Sequence, residues 1–538
     1  MKEDVWCIPL NRDQALIYAP FHGISTLVNR SMAEMITDYL ENEAETMLPD
    51  VPWAAGLRKP GNRPERHRGL PDPLFLGLIP TRSCMMQCAY CDFIPLRNHT
   101  LMSFAVIRKA VDGYADLIRN VHGTEWNIHF FGGEPFTAFK EVVYAVNYAR
   151  RKAAELGAAA HFEVTTNGFY SEEKCRWIAE NFDTVVLSLD GFPDVQNRHR
   201  PGPGGTESFP TVCRNADIFS RGSCELIIRS CVSSENVERL PEWAAFLSRR
   251  WNAEAVCLEP MTESDLSEKN GLTPPCLESF VQNWAAARRI LDKNKIRLVY
   301  SSGDISALKN SLCPMGRDAV IVDPEGRIGS CWQLSEKQEA GEMDLHFGSV
   351  ADLSMHIDES KLEKQRKSCE ENRERCRGCF SYAHCAGGCM LNKERKGNFC
   401  AMTKILTLWQ LLDQLGLGSR ADEFLKNEKY LHWLAEGDNY RIGTPDFSDV
   451  PGDFSPLESR LNISGLPDYF HVQSLLPLPA DPACGWIRDG SRIVLVDTVN
   501  YGITVIEGDD SLRFQLEHSG LTASDAKAVW NALQEGSV

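Results

Sequence analysis

The sequence predicts an α/β chain: a parallel sheet, open or closed part-way into a barrel, then a cysteine-rich domain, with α+β segments at both ends. Three observations carry this. Between residues 74 and 259, six short apolar runs alternate with amphipathic stretches of helical period. The nineteen cysteines fall unevenly, in two clusters. A chain of 538 residues exceeds one compact core, at roughly 150 residues per domain.

At the amino end, Val5–Leu10 and Ala15–Pro20 read as strands and Ser31–Glu41 as a capped helix; the Gly-, Pro- and Arg-rich stretch 54–72 reads as a linker. The six strands of the regular region are Leu74–Ile79, Trp126–Phe131, His161–Thr166, Thr184–Asp190, Glu225–Val232 and Glu254–Glu259. Helices are expected between them at Ser103–Arg119, Ala138–Leu156, Ser171–Asn181, Phe209–Ser220 and Leu240–Arg250. Ligands of such sheets collect at the carboxyl ends of the strands, where the distinctive motifs here fall. Residues from about 300 to 410 hold the second cysteine group in short polar segments, as expected of a metal-held domain. A helical stretch at Leu406–Leu412, an irregular segment at Thr444–Pro456, strands at Arg492–Thr498 and Tyr501–Ile506, and a helix at Ala523–Leu533 complete the chain. The expected divisions are 1–71, 72–300, 301–410 and 411–538.

Hydrophobic residues at 43% and charged residues at 24% exclude a mostly disordered protein. The net charge of −17 argues against nucleic-acid binding, local basic residues between Arg58 and Arg68 notwithstanding. No run approaches the ~20 apolar residues of a spanning helix, and Met1–Asp4 lacks a signal-peptide layout. The expectation is a cytoplasmic protein without membrane or nucleic-acid partners.

In a reducing compartment, clustered cysteines mean metal or redox chemistry rather than disulfides. The first cluster, Cys84, Cys88 and Cys91, reads CxxxCxxC, with Tyr90 before the last thiol. Three thiolates are one short of a structural zinc site, and on a four-iron cluster they leave one iron open. Cys7, Cys175, Cys213, Cys224, Cys231, Cys257, Cys276, Cys369 and Cys484 are scattered and read as small buried hydrophobes.

With its setting after an apolar strand and before a βα series, the triplet resembles that of radical S-adenosylmethionine (SAM) enzymes, over roughly residues 72–300. The resemblance implies a partial (βα)6 barrel. It also implies a [4Fe–4S] cluster on the three cysteines whose open iron binds SAM, and a 5′-deoxyadenosyl radical made by reductive cleavage of SAM. Gly132-Gly133-Glu134-Pro135 matches the family's GGEP turn, placing Glu134 near the SAM amino group; two glycines in a βα turn mean little alone. Thr166-Asn167-Gly168 matches its TNG turn, and Ser188-Leu189-Asp190-Gly191 its S-x-D-G, with Ser188 and Asp190 near the ribose and methionine parts. By the same resemblance Tyr90 meets the adenine edge and Glu259 lies beside SAM. Arg229 sits mid-strand, where a buried guanidinium wants a carboxylate, either that of SAM or one of the protein's own.

The second cluster is Cys313, Cys331 (Gly326-x4-Cys331), Cys376-x2-Cys379-x5-Cys385-x3-Cys389 and Cys400. This order resembles the SPASM domain, which adds auxiliary iron–sulfur clusters; a zinc ribbon is the simpler alternative, but seven thiolates fit one zinc site poorly. The resemblance assigns Cys376, Cys379, Cys385 and Cys400 to one [4Fe–4S] cluster and Cys313, Cys331 and Cys389 to another. The second set is one ligand short. An open iron, a bound substrate or a distant ligand such as Cys369 each remain open.

Sulfatase-maturing relatives place a base-bearing aspartate after the cysteine of G-x4-C. Here Trp332 and Gln333 follow Cys331, and neither is a base near neutral pH. The expectation is therefore a SPASM-type enzyme that forms an oxidative thioether or carbon–carbon crosslink in a ribosomally made peptide, with an external donor of flavodoxin or ferredoxin type. A sulfatase-type maturase, a small-molecule dehydrogenase and a non-catalytic iron–sulfur scaffold are the alternatives. Ala15–Ala19, Ser25–Val28 and the following helix faintly resemble the start of a leader-peptide-binding winged domain; a strand pair packed on the barrel is the preferred reading.

Overall fold

The computed structural model describes residues 4–41, most of 56–451 and the strands within 476–507. The helix expected at Ala523–Leu533 and the side chain of Cys484 lie outside the described residues. The chain forms two compact units. One comprises Met1–Arg63, Arg377–Ala383 and Leu408–Val538; the other comprises Pro64–Cys376 and His384–Thr407.

In the first unit, β1 (Trp6–Pro9), β2 (Gln14–Ala19) and β3 (Ile24–Asn29) make an antiparallel sheet, followed by α1 (Arg30–Glu41). The preferred reading, a strand pair on the barrel, is corrected on two counts. The sheet has three strands, and it has its own core: Val5, Cys7, Ala15, Ile17, Val28, Met32 and Ile36 pack with Ile442 and Phe447. The amino-terminal sheet thus shares one interior with the segment that holds Ile442 and Phe447, because β1 and β2 are buried at every position and neither offers a solvent face.

The second unit is built on one mixed sheet. Its parallel part runs β4 (Leu76–Leu78), β5 (Glu125–Phe130), β6 (Ala159–Thr166), β7 (Thr184–Ser188), β8 (Glu225–Val232), β9 (Ala255–Pro260) and β10 (Arg297–Val299). The connecting helices are α2 (Phe104–Asn120), α3 (Phe139–Glu155), α4 (Glu172–Asn181), α5 (Phe209–Arg221), α6 (Leu240–Arg250) and α7 (Leu277–Lys293). All six expected strands and all five expected helices are present, within a residue or two at most ends. The residues alternate as a two-sided sheet requires: Trp126, Ile128, Phe130, Phe162, Val164, Leu226 and Ile228 are buried, while His129, Glu163, Arg229, Cys257 and Glu259 line the less covered face.

The expected boundary at 300/301 is not a boundary of the sheet. Beyond β10, β11 (Val320–Val322) returns to pair parallel with β4, and β12 (Arg327–Gly329), β13 (His346–Ala351) and β14 (Ser354–Ile357) extend the sheet antiparallel. An edge strand as short and apolar as β4 needs a partner on its open side, and β11 supplies it. Two helices follow, α8 (Glu359–Glu374) and α9 (Asn398–Gln414). In the first unit's tail, Arg492–Asp497 and Gly502–Glu507 pair as expected, within a four-stranded antiparallel sheet that also includes Cys484–Asp489.

Candidate functional site

The CxxxCxxC segment follows β4, at the carboxyl end of the parallel strands. The Cys84, Cys88 and Cys91 thiols lie within electrostatic reach of one another. The described cysteines form no disulfide, and no three described His, Cys, Asp or Glu side chains converge closely enough to hold a single metal ion. Burial pushes the Cys88 thiol up to about 12, so a thiolate there needs positive charge beside it. Arg200 Nη1, 3.9 Å from Cys88 Sγ, supplies part of that charge, and Asn167 Nδ2 lies 3.6 Å from Cys84 Sγ. Three thiols on one loop, two of them beside a side-chain donor, suit the corners of an iron–sulfur cluster.

The GGEP turn packs on this loop through its backbone. Gly133 N donates to Thr81 O and Glu134 N to Ser83 O. A Cβ on Gly132 would stand 2.6 Å from Thr81 O, and one on Gly133 2.3 Å from Ser83 O. The glycines are required by the approach of the two chain segments. Glu134, expected beside the SAM amino group, is buried, with both carboxylate oxygens engaged. Oε1 accepts from Thr166 Oγ1 (2.9 Å) and Phe136 N (3.1 Å), and Oε2 accepts from Asn167 N (2.8 Å). Burial raises its carboxyl to about 7 against these donors. Pro135 opens the short turn Pro135–Ala138 that Glu134 caps. Glu134 therefore bonds the second motif to the third, and Asn167 carries the connection on to Cys84.

Asp190 is a second buried hub. Its Oδ1 accepts from Cys231 N at 3.0 Å; its Oδ2 accepts from the Tyr90 hydroxyl at 2.5 Å, forms an ion pair with Arg200 Nε at 3.0 Å and lies 3.4 Å from His199 Nδ1. Burial alone would raise this carboxyl, but Arg200 and His199 prevail and hold it down at about 2. The Tyr90 ring lies under the Arg200 guanidinium at 5.3 Å and edge-on to His199. Asp190 thus fixes Tyr90 and Arg200 around the cysteine loop. Ser233, His199 and Asp190 are hydrogen-bonded or paired in sequence like a hydrolytic triad, but all three are buried, which makes this a brace.

Ser188 is buried at the end of β7, paired in register with Arg229 on β8. The expectation of a buried Arg229 is corrected: its side chain is exposed, on the same face as Cys257, its register partner on β9. Alternation along β8 buries Ile228 and Ser230 and leaves Arg229 on the open side. Glu259 accepts from Ser301 N at 2.9 Å and from the Ser301 hydroxyl. Sequence reasoning missed His199 and Arg200, which end and cap the helix Pro193–His199 and carry no motif. It also missed the buried Arg82–Asp323 pair at 3.1 Å, which joins the cysteine loop to the β11–β12 hairpin. Nothing local to either residue announces it, since they are 241 positions apart.

In the auxiliary region, the Cys313, Cys331 and Cys389 thiols lie within electrostatic reach of one another. Met315, Leu334, Leu345 and Met390 surround this site. Cys385 and Cys400 both act on the Tyr300 hydroxyl, whose proton is held well above the usual tyrosine range chiefly by burial. Cys376 follows α8, and Cys379 O accepts from Tyr382 N. Trp332 lies against Phe75 and Phe131 at 6.0 and 5.3 Å. Among the scattered cysteines, Cys7, Cys175, Cys213, Cys224 and Cys369 are buried as expected; Cys231 and Cys257 are half-buried, and Cys276 is exposed just before α7.

A parallel sheet with three thiols in the loop after its first strand is the framework of an α/β enzyme whose site lies at the carboxyl ends of the strands. Residues 78–244 match the radical SAM superfamily, so the chain carries a radical SAM domain and is an enzyme whose cofactors are SAM and [4Fe–4S] clusters. It is 24% identical over 344 residues to the cysteine-type anaerobic sulfatase-maturating enzyme of Clostridium perfringens (strain 13 / Type A), covering 60% of this chain and 90% of that protein. The serine-type anaerobic sulfatase-maturating enzyme of Klebsiella aerogenes is 21% identical over 339 residues, or 59% and 79% of the two chains. The structure of native anSMEcpe with bound AdoMet and Kp18Cys peptide shares the fold with a TM-score of 0.51 at 19% identity, over 65% of this chain and 99% of that one. No described helix is long and apolar enough to cross a membrane.

Proposed function

We propose that this chain oxidises a ribosomally made peptide, forming a thioether or carbon–carbon crosslink. The observation that carries the reading is Trp332. The curated relatives are sulfatase-maturating enzymes, and their family resemblance calls for a carboxylate directly after the G-x4-C cysteine. Here that position is an indole stacked on Phe75, and a Cβ on Gly77 would come within 2.7 Å of Trp332 Cη2. A tryptophan seated against a glycine strand cannot take up a proton.

When bound at Cys84, Cys88 and Cys91, the cluster and SAM supply a 5′-deoxyadenosyl radical that abstracts hydrogen. The chain's own residues do the rest. Glu134 and Asn167 hold the turns around the cluster loop, and Asp190 holds Tyr90 and Arg200. The less covered face of the sheet, with Arg229, Glu163 and Glu259, offers polar contacts to a peptide. A crosslink removes two hydrogen atoms from the substrate. One leaves as hydrogen to the nucleoside, and the other as a proton and an electron. Cys376, Cys379, Cys385 and Cys400 would hold an auxiliary cluster able to supply the acceptor for that electron, with a flavodoxin- or ferredoxin-type carrier as its exchange partner.

The formylglycine reading is favoured by the relatives and opposed by Trp332. Anaerobic turnover with reductant, SAM and cysteine-containing peptides separates the two. A product lighter by two hydrogens, with its sulfur retained and no aldehyde, is expected. A hydrazine-reactive aldehyde with loss of the cysteine sulfur would establish the maturase instead.

A further inference from the structure

We infer that Cys369 is the fourth protein ligand of the auxiliary cluster assigned to Cys313, Cys331 and Cys389. This rests on the reading that those three thiols hold a cluster. Along α8, Gln365, Cys369 and Asn372 occupy positions i, i+4 and i+7, which share one helix face. All three are buried, at 3%, 7% and 9% exposure. The outer two are fixed to the segments that carry the other ligands. The Ser330 hydroxyl, adjacent to Cys331, donates to Gln365 Oε1 at 2.7 Å. Asn372 Nδ2 donates to the carbonyl of Gly387, two residues before Cys389, at 2.8 Å.

That second contact is close. Gly387 has φ +84°, and a Cβ there would stand 2.9 Å from Asn372 Nδ2 and 3.0 Å from Arg373 Cα. The segment leading to Cys389 therefore lies directly on the helix. Cys369 sits between the two anchor points, and it packs in the same apolar cluster as Met315, Leu334, Leu345, Cys313 and Cys331. The helix itself, ESKLEKQRKSCEENRE, has only Leu362 and Cys369 as apolar residues. A site that lacks one thiolate thus has a thiol on the face that both of its neighbouring segments bind. Ligation releases the thiol proton and closes the fourth iron. A closed cluster can pass electrons but has no position for substrate.

The test uses the full chain with Cys84, Cys88 and Cys91 changed to Ala, so that only auxiliary clusters load. Iron, sulfide and electron paramagnetic resonance spectra are compared for this parent and for added C369A, C369S, C331A and C213A, with circular dichroism as the folding check. The parent is expected to hold about eight irons, and its spectrum to be unmoved by cyanide. C369A should lose about four irons or show a three-iron species. C369S should keep its iron with shifted signals, because oxygen replaces sulfur at one corner. C213A, which removes a buried thiol of α5, should match the parent. If C369A and C369S both match the parent while C331A loses iron, or if cyanide shifts the parent's spectrum, the inference is wrong and the cluster reading stands. If C331A also keeps its full iron and spectrum, no cluster is held there and both fail. Should C369A misfold, C369S and the cyanide titration decide.

Discussion

The two cysteine sites of the barrel unit are built by opposite means. Cys84, Cys88 and Cys91 come from one eight-residue loop, and the groups around them are polar: Asn167, Arg200, and the buried hubs Glu134 and Asp190. Cys313, Cys331 and Cys389 come from three distant segments, and the groups around them are Met315, Leu334, Leu345 and Met390. A site that must hold a charged sulfonium and an amino acid head needs oriented donors and acceptors. A site that only stores an electron is served by an apolar wall that excludes water. The contrast teaches that spacing in the sequence records where the ligands are local, while the chemistry of the surroundings records what the cluster is for.

The strongest way to break this comparison is to empty the first site. Replacing Cys84, Cys88 and Cys91 together by Ala should abolish formation of 5′-deoxyadenosine while leaving the auxiliary iron in place. Iron analysis and chromatography of the nucleoside check this; loss of all iron would mean that the two sites depend on each other.

Next in size is Asp190→Asn. It leaves the nearly buried Arg200 without its anion, and breaking such a pair costs about 3 kcal/mol. Thermal or denaturant unfolding should register that loss, together with a fall in SAM cleavage because Tyr90 and Arg200 lose their anchor. Unchanged stability would show that the polar hub is not what organises the loop.

The smallest effect concerns pH. Burial lowers the His129 pKa from 6.5 to about 4, with its ring stacked at 4.2 Å on Phe75. The unfolded chain takes up this proton near pH 6.5 and the folded chain only near 4, so the unfolded state binds more protons between them. Stability is therefore complete above 6.5 and falls as the pH drops toward 4. His129→Phe should flatten that part of the unfolding profile. An unchanged slope would place the titration elsewhere.

Much of the barrel was legible because its signals are local. Strand and helix periods, the CxxxCxxC loop, GGEP, TNG and S-x-D-G each occupy a few consecutive residues, and each sits where the sheet brings a strand to its carboxyl end. What the motif residues do to one another was not legible. Glu134 and Asp190 were expected to face a ligand; their carboxylates are also joined to protein donors, Glu134 to the TNG turn and Asp190 to Tyr90, His199 and Arg200, because a buried charge must be paired. Arg229 was expected to be buried, and the alternation of β8 puts it on the open face. The core that the amino-terminal sheet shares with Ile442 and Phe447 joins residues more than 400 positions apart, a separation no local pattern reports.

By itself, the sequence determined the class of chemistry, since thiol spacing and turn residues are properties of short segments. Only the tertiary structure decided that β11 extends the barrel sheet, that Arg82 pairs with Asp323, and that α8 brings Cys369 to the face between Cys331 and Cys389. Those outcomes depend on which distant surfaces must cover each other to remove apolar area and buried charge from water, and such surfaces exist only once the chain has folded.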